Sequence, residues 1–367
     1  MADFFSEATT GFLAPIASFL KDPNVTEIMV NGASEIYIEK KGKISKTNTV
    51  FEDEEQLMAA VRRIAQTVGR IIDSKNPIMD ARLPDGSRVN VVIPPVARKG
   101  IYLSIRKFGK ETLAIKQLVE GGALSLSMAK FLNLCTALSK NLIVSGGTSS
   151  GKTTLLNVIS GLISKDQRIV VIEDASELQL QQEHVLPMEA RAPDIDGKGM
   201  VTIRDLLRSS LRMRPDRIII GEVRGAEAMD LLQAMNTGHS GSMATIHANT
   251  PKGALDRLET LALMSDVALP WRALRSQVAS AIDIVVQASR LRDGSRKITY
   301  ISEIGELTEE GKYEVHDIFV FEIQSVDEKG QMMGKHISTG YIPSFLHEAI
   351  AQGFTVDETL FKPQQKK

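Results

Sequence analysis

Gly146-Gly147-Thr148-Ser149-Ser150-Gly151-Lys152-Thr153 stands between the apolar run Asn141-Leu142-Ile143-Val144-Ser145 and the helix-like Thr154-Leu155-Leu156-Asn157-Val158-Ile159. Strand, glycine-rich turn and helix in that order are the context in which this pattern becomes a phosphate-binding loop. The glycines let the backbone curl so that successive N–H groups point at phosphate oxygens, and the helix N-terminus adds a favourable dipole. Lys152 is expected to reach the β- and γ-phosphates, and Thr153 to offer its hydroxyl to magnesium. The run Gly146 to Thr154 is therefore the expected binding site for ATP with Mg2+.

Binding is not hydrolysis, which also needs an acid near the metal and a group that orients water. Two segments can supply them. Arg217-Ile218-Ile219-Ile220-Gly221-Glu222 reads as a buried strand ending in a carboxylate, and Glu222 is the expected magnesium-side acid. Ile169-Val170-Val171-Ile172-Glu173-Asp174 is a second such strand, in which Glu173 could accept the proton of the attacking water, with Asp174 or Glu177 able to do the same. Away from the loop, such acids would read as helix caps or solvated strand ends.

Thr237 to His247 carries two of the six histidines, His239 and His247, in a glycine-rich stretch. Zinc is not expected, because no cysteine or carboxylate cluster accompanies them at ligand spacing. The preferred reading is a pair flanking a mobile loop that senses phosphate or closes an interface. Arg191, Arg208, Arg212 and Arg214 form a basic set before the Glu222 strand, some of which could face a neighbouring subunit's nucleotide.

From Leu124 onward, short β-rich runs (141–145, 168–172, 217–220) alternate with helical periods, which indicates an α/β sheet with parallel strands. The first hundred residues are mixed: a short apolar helix from Phe12 to Leu20, strands near Glu27–Val30 and Glu35–Glu39 turning at Lys41-Gly42, and an amphipathic helix over Asp53–Gly69. Val89, Val91 and Ile93 alternate along one run, and Ile101, Leu103 and Ile105 along the next. An antiparallel hairpin centred on Ala97 sets Arg88 directly opposite Arg106, both on the face that does not pack into the core. Like charges so placed repel unless an anion lies between them, which makes the pair a candidate phosphate clamp; the alternative is a solvated face.

The expected domains are 1–108, a linker at 109–122, the loop-bearing domain at 123–302, and an appendage at 303–367 with a strand near Val315–Ile323, a turn near Glu328-Lys329-Gly330 and a last helix near Ser344–Ala351. The 367-residue length is more than one core usually holds. Hydrophobic residues make up 43%, charged residues 24%, and the formal net charge is −1, an ordinary globular profile that asks for no nucleic acid. Few aromatics (5%) leave a nucleic-acid translocase without an obvious track. Cys135, the only cysteine, lies in an apolar segment, which implies inert packing and a reducing cytoplasm. No apolar run approaches the roughly 18–20 residues of a membrane span, and the first residues lack a basic signal region, so work at a membrane is expected to pass through a partner.

Together these segments resemble the secretion ATPase superfamily of type II and type IV secretion and type IV pili, whose Walker A loop, acidic box, Walker B strand and histidine box look like 146–153, 172–178, 218–222 and 238–247. More narrowly, Glu27 to Gly32, Asp80 to Asn90, Ser104 to Phe108 and Asp317 to Glu322 are similar to the motor of tight-adherence (Tad/Flp) pili. The resemblance implies an N-terminal α+β, PAS-like domain joined by a linker to a RecA-like P-loop NTPase domain, α/β overall. It implies a homo-hexamer with nucleotide between the two domains, partnered by inner-membrane platform proteins and located in the cytoplasm at that membrane. It assigns Glu173 as general base and Glu222 as Walker B acid, and matches Arg88 and Arg106 to positions contacting the terminal phosphates. The alternatives are a type IV secretion or conjugation motor of the same superfamily, which shares every catalytic motif, and a scaffold that binds ATP without hydrolysing it.

Overall fold

A computed structural model of the chain describes residues 13–40, 42–107, 113–193, 197–267, 269–328 and 330–363. The chain divides into two units, residues 1–111 and 112–367. Phe12, Lys41, Phe108, Lys329 and the start of the expected linker lie outside the described residues.

In the first unit, β1 (Val25–Asn31), β2 (Ile36–Lys40), β3 (Lys43–Lys46), β4 (Ile78–Arg82), β5 (Arg88–Val92) and β6 (Tyr102–Arg106) form an antiparallel sheet in the order β3-β2-β1-β6-β5-β4. Alternation decides its two faces. Ile28, Val30, Ile36, Ile38, Val89, Val91, Leu103 and Ile105 are buried in one core with Leu57, Ala60, Val61, Ile64 and Ala65 of helix α1 (Glu54–Thr67). Asp53 caps α1 by accepting from Gln56 N at 2.7 Å. The β5–β6 register is the expected one: Arg88 pairs with Arg106, Val89 with Ile105 and Val91 with Leu103.

In the second unit, β7 (Leu142–Gly146), β8 (Ile169–Glu173), β9 (Val185–Glu189), β10 (Arg217–Ile220), β11 (Met243–His247), β12 (Ile284–Arg290), β13 (Arg296–Leu307), β14 (Tyr313–Val326) and β15 (Met332–Ser338) form one sheet in the order β15-β14-β13-β12-β7-β11-β10-β8-β9. The strands from β12 to β9 in that order run parallel. The strands β13, β14 and β15 add antiparallel. Both faces of the parallel part are covered. Leu142 and Val144 pack with helices α2 (Leu126–Ala137) and α3 (Lys152–Ser160). Ile143, between them, packs on the other side with α4 (Ile203–Ser210), α5 (Glu227–Asn236), α6 (Pro251–Ala262) and α7 (Trp271–Ala281). The architecture is the expected mixed α/β: a smaller sheet domain followed by a larger one.

Two expectations change. The glycine-rich stretch ending at His247 is not one loop, because Met243, Ala244, Thr245 and Ile246 are buried as a central strand between β7 and β10. Its brevity and its alanine and threonine hid it among the glycines. Residue 303, expected to begin an appendage, lies inside β13, and Phe319, Phe345 and Phe361 gather around Phe131 of α2 at ring-centroid distances of 5.6, 6.1 and 5.8 Å. Residues 303–363 thus share the core of the large sheet. No helix among the described residues is long and apolar enough to cross a membrane.

Candidate functional site

The strand β7 is buried along its length and delivers the chain to Gly147. The turn needs its glycines for different reasons. A Cβ on Gly146 would fall 2.4 Å from Ser150 Oγ and 2.5 Å from Ala288 O, so the approach of β12 forbids one. Gly151, at φ +93°, takes the left-handed conformation from which α3 starts. Ser150 Oγ and Lys152 Nζ both donate to Gly147 O, at 2.9 and 3.1 Å, and Arg296 Nε donates to Ser149 O at 3.0 Å, drawing β13 to the loop. Thr153 and Thr154 lie in the first turn of α3.

Register aligns the neighbouring strand ends. Ile172, Ile220, Ala244 and Ile143 form one row across β8, β10, β11 and β7. Glu173, Glu222, His247 and Gly146 follow that row by one, two, three and three residues, so all leave the same edge. At the usual spacing of about 4.8 Å, Glu222 lies roughly two strands, or 10 Å, across from the loop, with His247 on the strand between. Thr245 Oγ1 donates to Gly221 O at 2.6 Å and Val223 N to Thr245 O at 2.9 Å, tying the Glu222 turn to β11.

The acids differ in setting. Glu173 is 3% exposed, and its carboxylate accepts from Glu177 N at 2.9 Å and Leu178 N at 3.1 Å. A Cβ on Gly221 would meet Glu173 Cγ at 2.9 Å, so the glycine makes room for this inward side chain. That is the geometry of a brace for the turn at 174–178. Glu177 is half-buried in the same turn. Glu222 is half-buried, and its Oε2 accepts from Arg224 Nε at 2.9 Å; Arg224 Nη1 donates to Asp174 Oδ2 at 3.0 Å. Sequence reasoning missed both Arg224 and Arg296, and only tertiary contact distinguishes them from other exposed arginines.

The two histidines separate. His247 ends β11 beside Gly146, whereas His239 precedes the strand and lies beyond its other end, with roughly 13 Å of strand between them. Gly241, near His239, serves packing: a Cβ there would fall 1.2 Å from Nη1 of Arg217. Arg217 is 2% exposed and donates to Gln167 Oε1, Ser240 O and Thr136 O at 2.7, 3.3 and 3.1 Å. Of the basic set, Arg208 pairs with Asp230 at 2.7 Å, beside Arg204 on the other oxygen, and Arg191 donates to Gly199 O. Arg212 donates to Arg208 O at 3.1 Å, and Arg214 has φ +52°. Burial pushes the Cys135 thiol well up, as inert packing requires.

In the first unit, one transverse row on the face away from α1 runs Arg82, Arg88, Arg106, Glu27, Glu39 across β4, β5, β6, β1 and β2. Burial raises the Glu27 pKa, against the opposing field of Arg106. Charge therefore changes sign between β6 and β1, with the arginines together on one half.

Residues 10–317 match the family model for type II/IV secretion system proteins. The chain belongs to this family. A putative conjugal transfer protein of Mycobacterium tuberculosis is 36% identical over 298 residues, covering 80% of this chain and 83% of that protein. The type IV secretion system protein VirB11 of Bartonella henselae is 32% identical, covering 79% and 91%. Among solved structures, the pilus retraction motor PilT with bound ADP aligns with a TM-score of 0.57 at 21% identity, covering 84% of this chain and 83% of that one, a likeness of fold.

The secretion-system protein has a loop that could hold a nucleotide. Its backbone is curled, a Cβ at Gly146 has no room, and the Lys152 ammonium reaches back across the turn to Gly147 O. Thr153 at the start of α3 and Glu222 just past β10 offer a hydroxyl and a carboxylate, the hard oxygen ligands that magnesium prefers.

Proposed function

We propose that this secretion-system protein is an ATPase subunit of a hexameric motor that powers assembly of a tight-adherence pilus through an inner-membrane platform, from the cytoplasmic side. One observation carries the ATPase reading: the phosphate-binding loop, His247, Glu222 and Asp174 all leave the same edge of one parallel sheet. Magnesium, held by Thr153 and Glu222, would supply charge neutralisation on the terminal phosphates. Lys152 and the loop N–H groups bind and orient those phosphates, and Arg88 and Arg106 remain the candidate clamp for an anion. Because Glu173 is engaged inward, the water-activating role in this reading passes to Glu177 of the same turn, with Glu222 kept for the metal. Hydrolysis would then drive the conformational change that pushes the platform.

The pilus assignment rests on the stretches at 27–32, 80–90, 104–108 and 317–322. The conjugal transfer and VirB11 relatives favour a second reading, a type IV secretion or conjugation motor with the same chemistry. Restoring pilus assembly or plasmid transfer in cells lacking the corresponding motor separates the two. The ATPase and ring are tested by turnover per subunit with magnesium as protein concentration rises, alongside particle mass. Turnover that rises as a six-subunit species assembles is expected. Constant turnover by a monomer would remove the ring, and no turnover at any assembly state would remove the ATPase.

A further inference from the structure

Arg224 bridges the ends of two neighbouring strands. Its Nε and Nη2 both donate to Oε2 of Glu222 at the end of β10, and its Nη1 donates to Oδ2 of Asp174 at the end of β8. The backbone beneath it is fixed, because Arg224 N and Gly225 N donate to Glu227 Oε1 at 2.6 and 2.8 Å, and Glu227 is itself buried at the start of α5. A guanidinium anchored at its base is therefore aimed at two carboxylates that would otherwise repel one another across adjacent strands. Both bonds to Glu222 fall on one oxygen, which leaves Oε1 outside the bridge.

On the ATPase reading, Glu222 is also the acid nearest the metal. A metal on Oε1 and the guanidinium on Oε2 would share one carboxylate, and each would lower the electron density available to the other. We propose that Arg224 is a positioning residue that holds Glu222 and Asp174 together, and that it must share Glu222 with magnesium nucleotide when that binds. Arg224 and the metal then compete for Glu222, and Arg224 sets the magnesium concentration at which the site fills. Bridging, and not charge alone, is what makes the competition: the planar fork spans both acids, whereas a lysine at the same place reaches one at a time.

The test is binding without turnover, read by Mn2+ electron paramagnetic resonance in the presence of a non-hydrolysable ATP analogue, on the full chain. Arg224→Gln is expected to bind Mn2+ about three- to tenfold more tightly than the wild type, the effect of removing one partly screened positive charge a few ångströms from the metal. Arg224→Lys is expected to fall between them. Equal or weaker binding by Arg224→Gln overturns the competition, and a lysine variant indistinguishable from wild type overturns the bridge in favour of charge alone. A second readout needs no nucleotide: thermal midpoints of Arg224→Gln, Glu222→Gln and the double variant should be clearly non-additive, and additivity overturns the bridge. If the wild type itself binds no Mn2+ nucleotide, the ATPase reading fails; if it binds and the Arg224 variants match it, only the role of Arg224 fails.

Discussion

Charge in the small sheet stands on a face, whereas charge in the large sheet gathers where strands end. Arg82, Arg88 and Arg106 occupy one row of an antiparallel sheet whose other face is the core, so their side chains lie off the apolar face. Glu173, Glu222 and His247 follow buried parallel strands, and two of the three are tied to backbone or side chains that shape the site. A face lets charge vary without disturbing the fold. An edge couples the chemistry to the turns that make it.

The largest expected effect lies at the edge. Lys152→Ala should lower ATP turnover by at least about 100-fold, the usual scale for losing a phosphate-stabilising group in phosphoryl transfer. Next comes the face. Arg106→Ala should reduce turnover by about 10- to 100-fold while the urea midpoint stays within error, because the side chain lies off the apolar face. A clear loss of stability there would break the distinction between face and edge.

Glu173→Ala sharpens it from the other side. This change leaves the buried Leu178 N–H without its acceptor and should cost about 1–3 kcal/mol in urea denaturation. Glu177→Gln, in contrast, should leave stability nearly unchanged and depress turnover, and the reverse pattern would return the base role to Glu173. The smallest effect separates the histidines. His247→Ala should lower turnover by roughly three- to tenfold, in the range of one displaced polar group near the phosphates. His239→Ala, at the far end of β11, should leave turnover unaltered.

Much of this protein can be read without coordinates where the signal is local. The hairpin partners Arg88 and Arg106 follow from alternation and a turn, because antiparallel pairing fixes both register and face once the centre is known. The strand at 243–247 escaped because it is short, carries an alanine and a threonine, and follows a glycine-rich stretch, although the glycine at 241 is there to admit Arg217. Arg224 escaped for another reason: one arginine after a strand resembles any other until its partners are known.

The amino-acid sequence by itself determined the glycine-rich turn, its helix and the arginine pair, since each is set by backbone geometry over contiguous residues or across one turn. It could not determine strand order. The tertiary structure decided that β11 lies between β7 and β10, and therefore that His247 joins the loop while His239 does not. It decided that Glu173 turns inward and that Arg224 spans Glu222 and Asp174. Parallel strands are joined by crossovers that leave their lateral order free, so which acids meet at an edge is settled only when the sheet assembles.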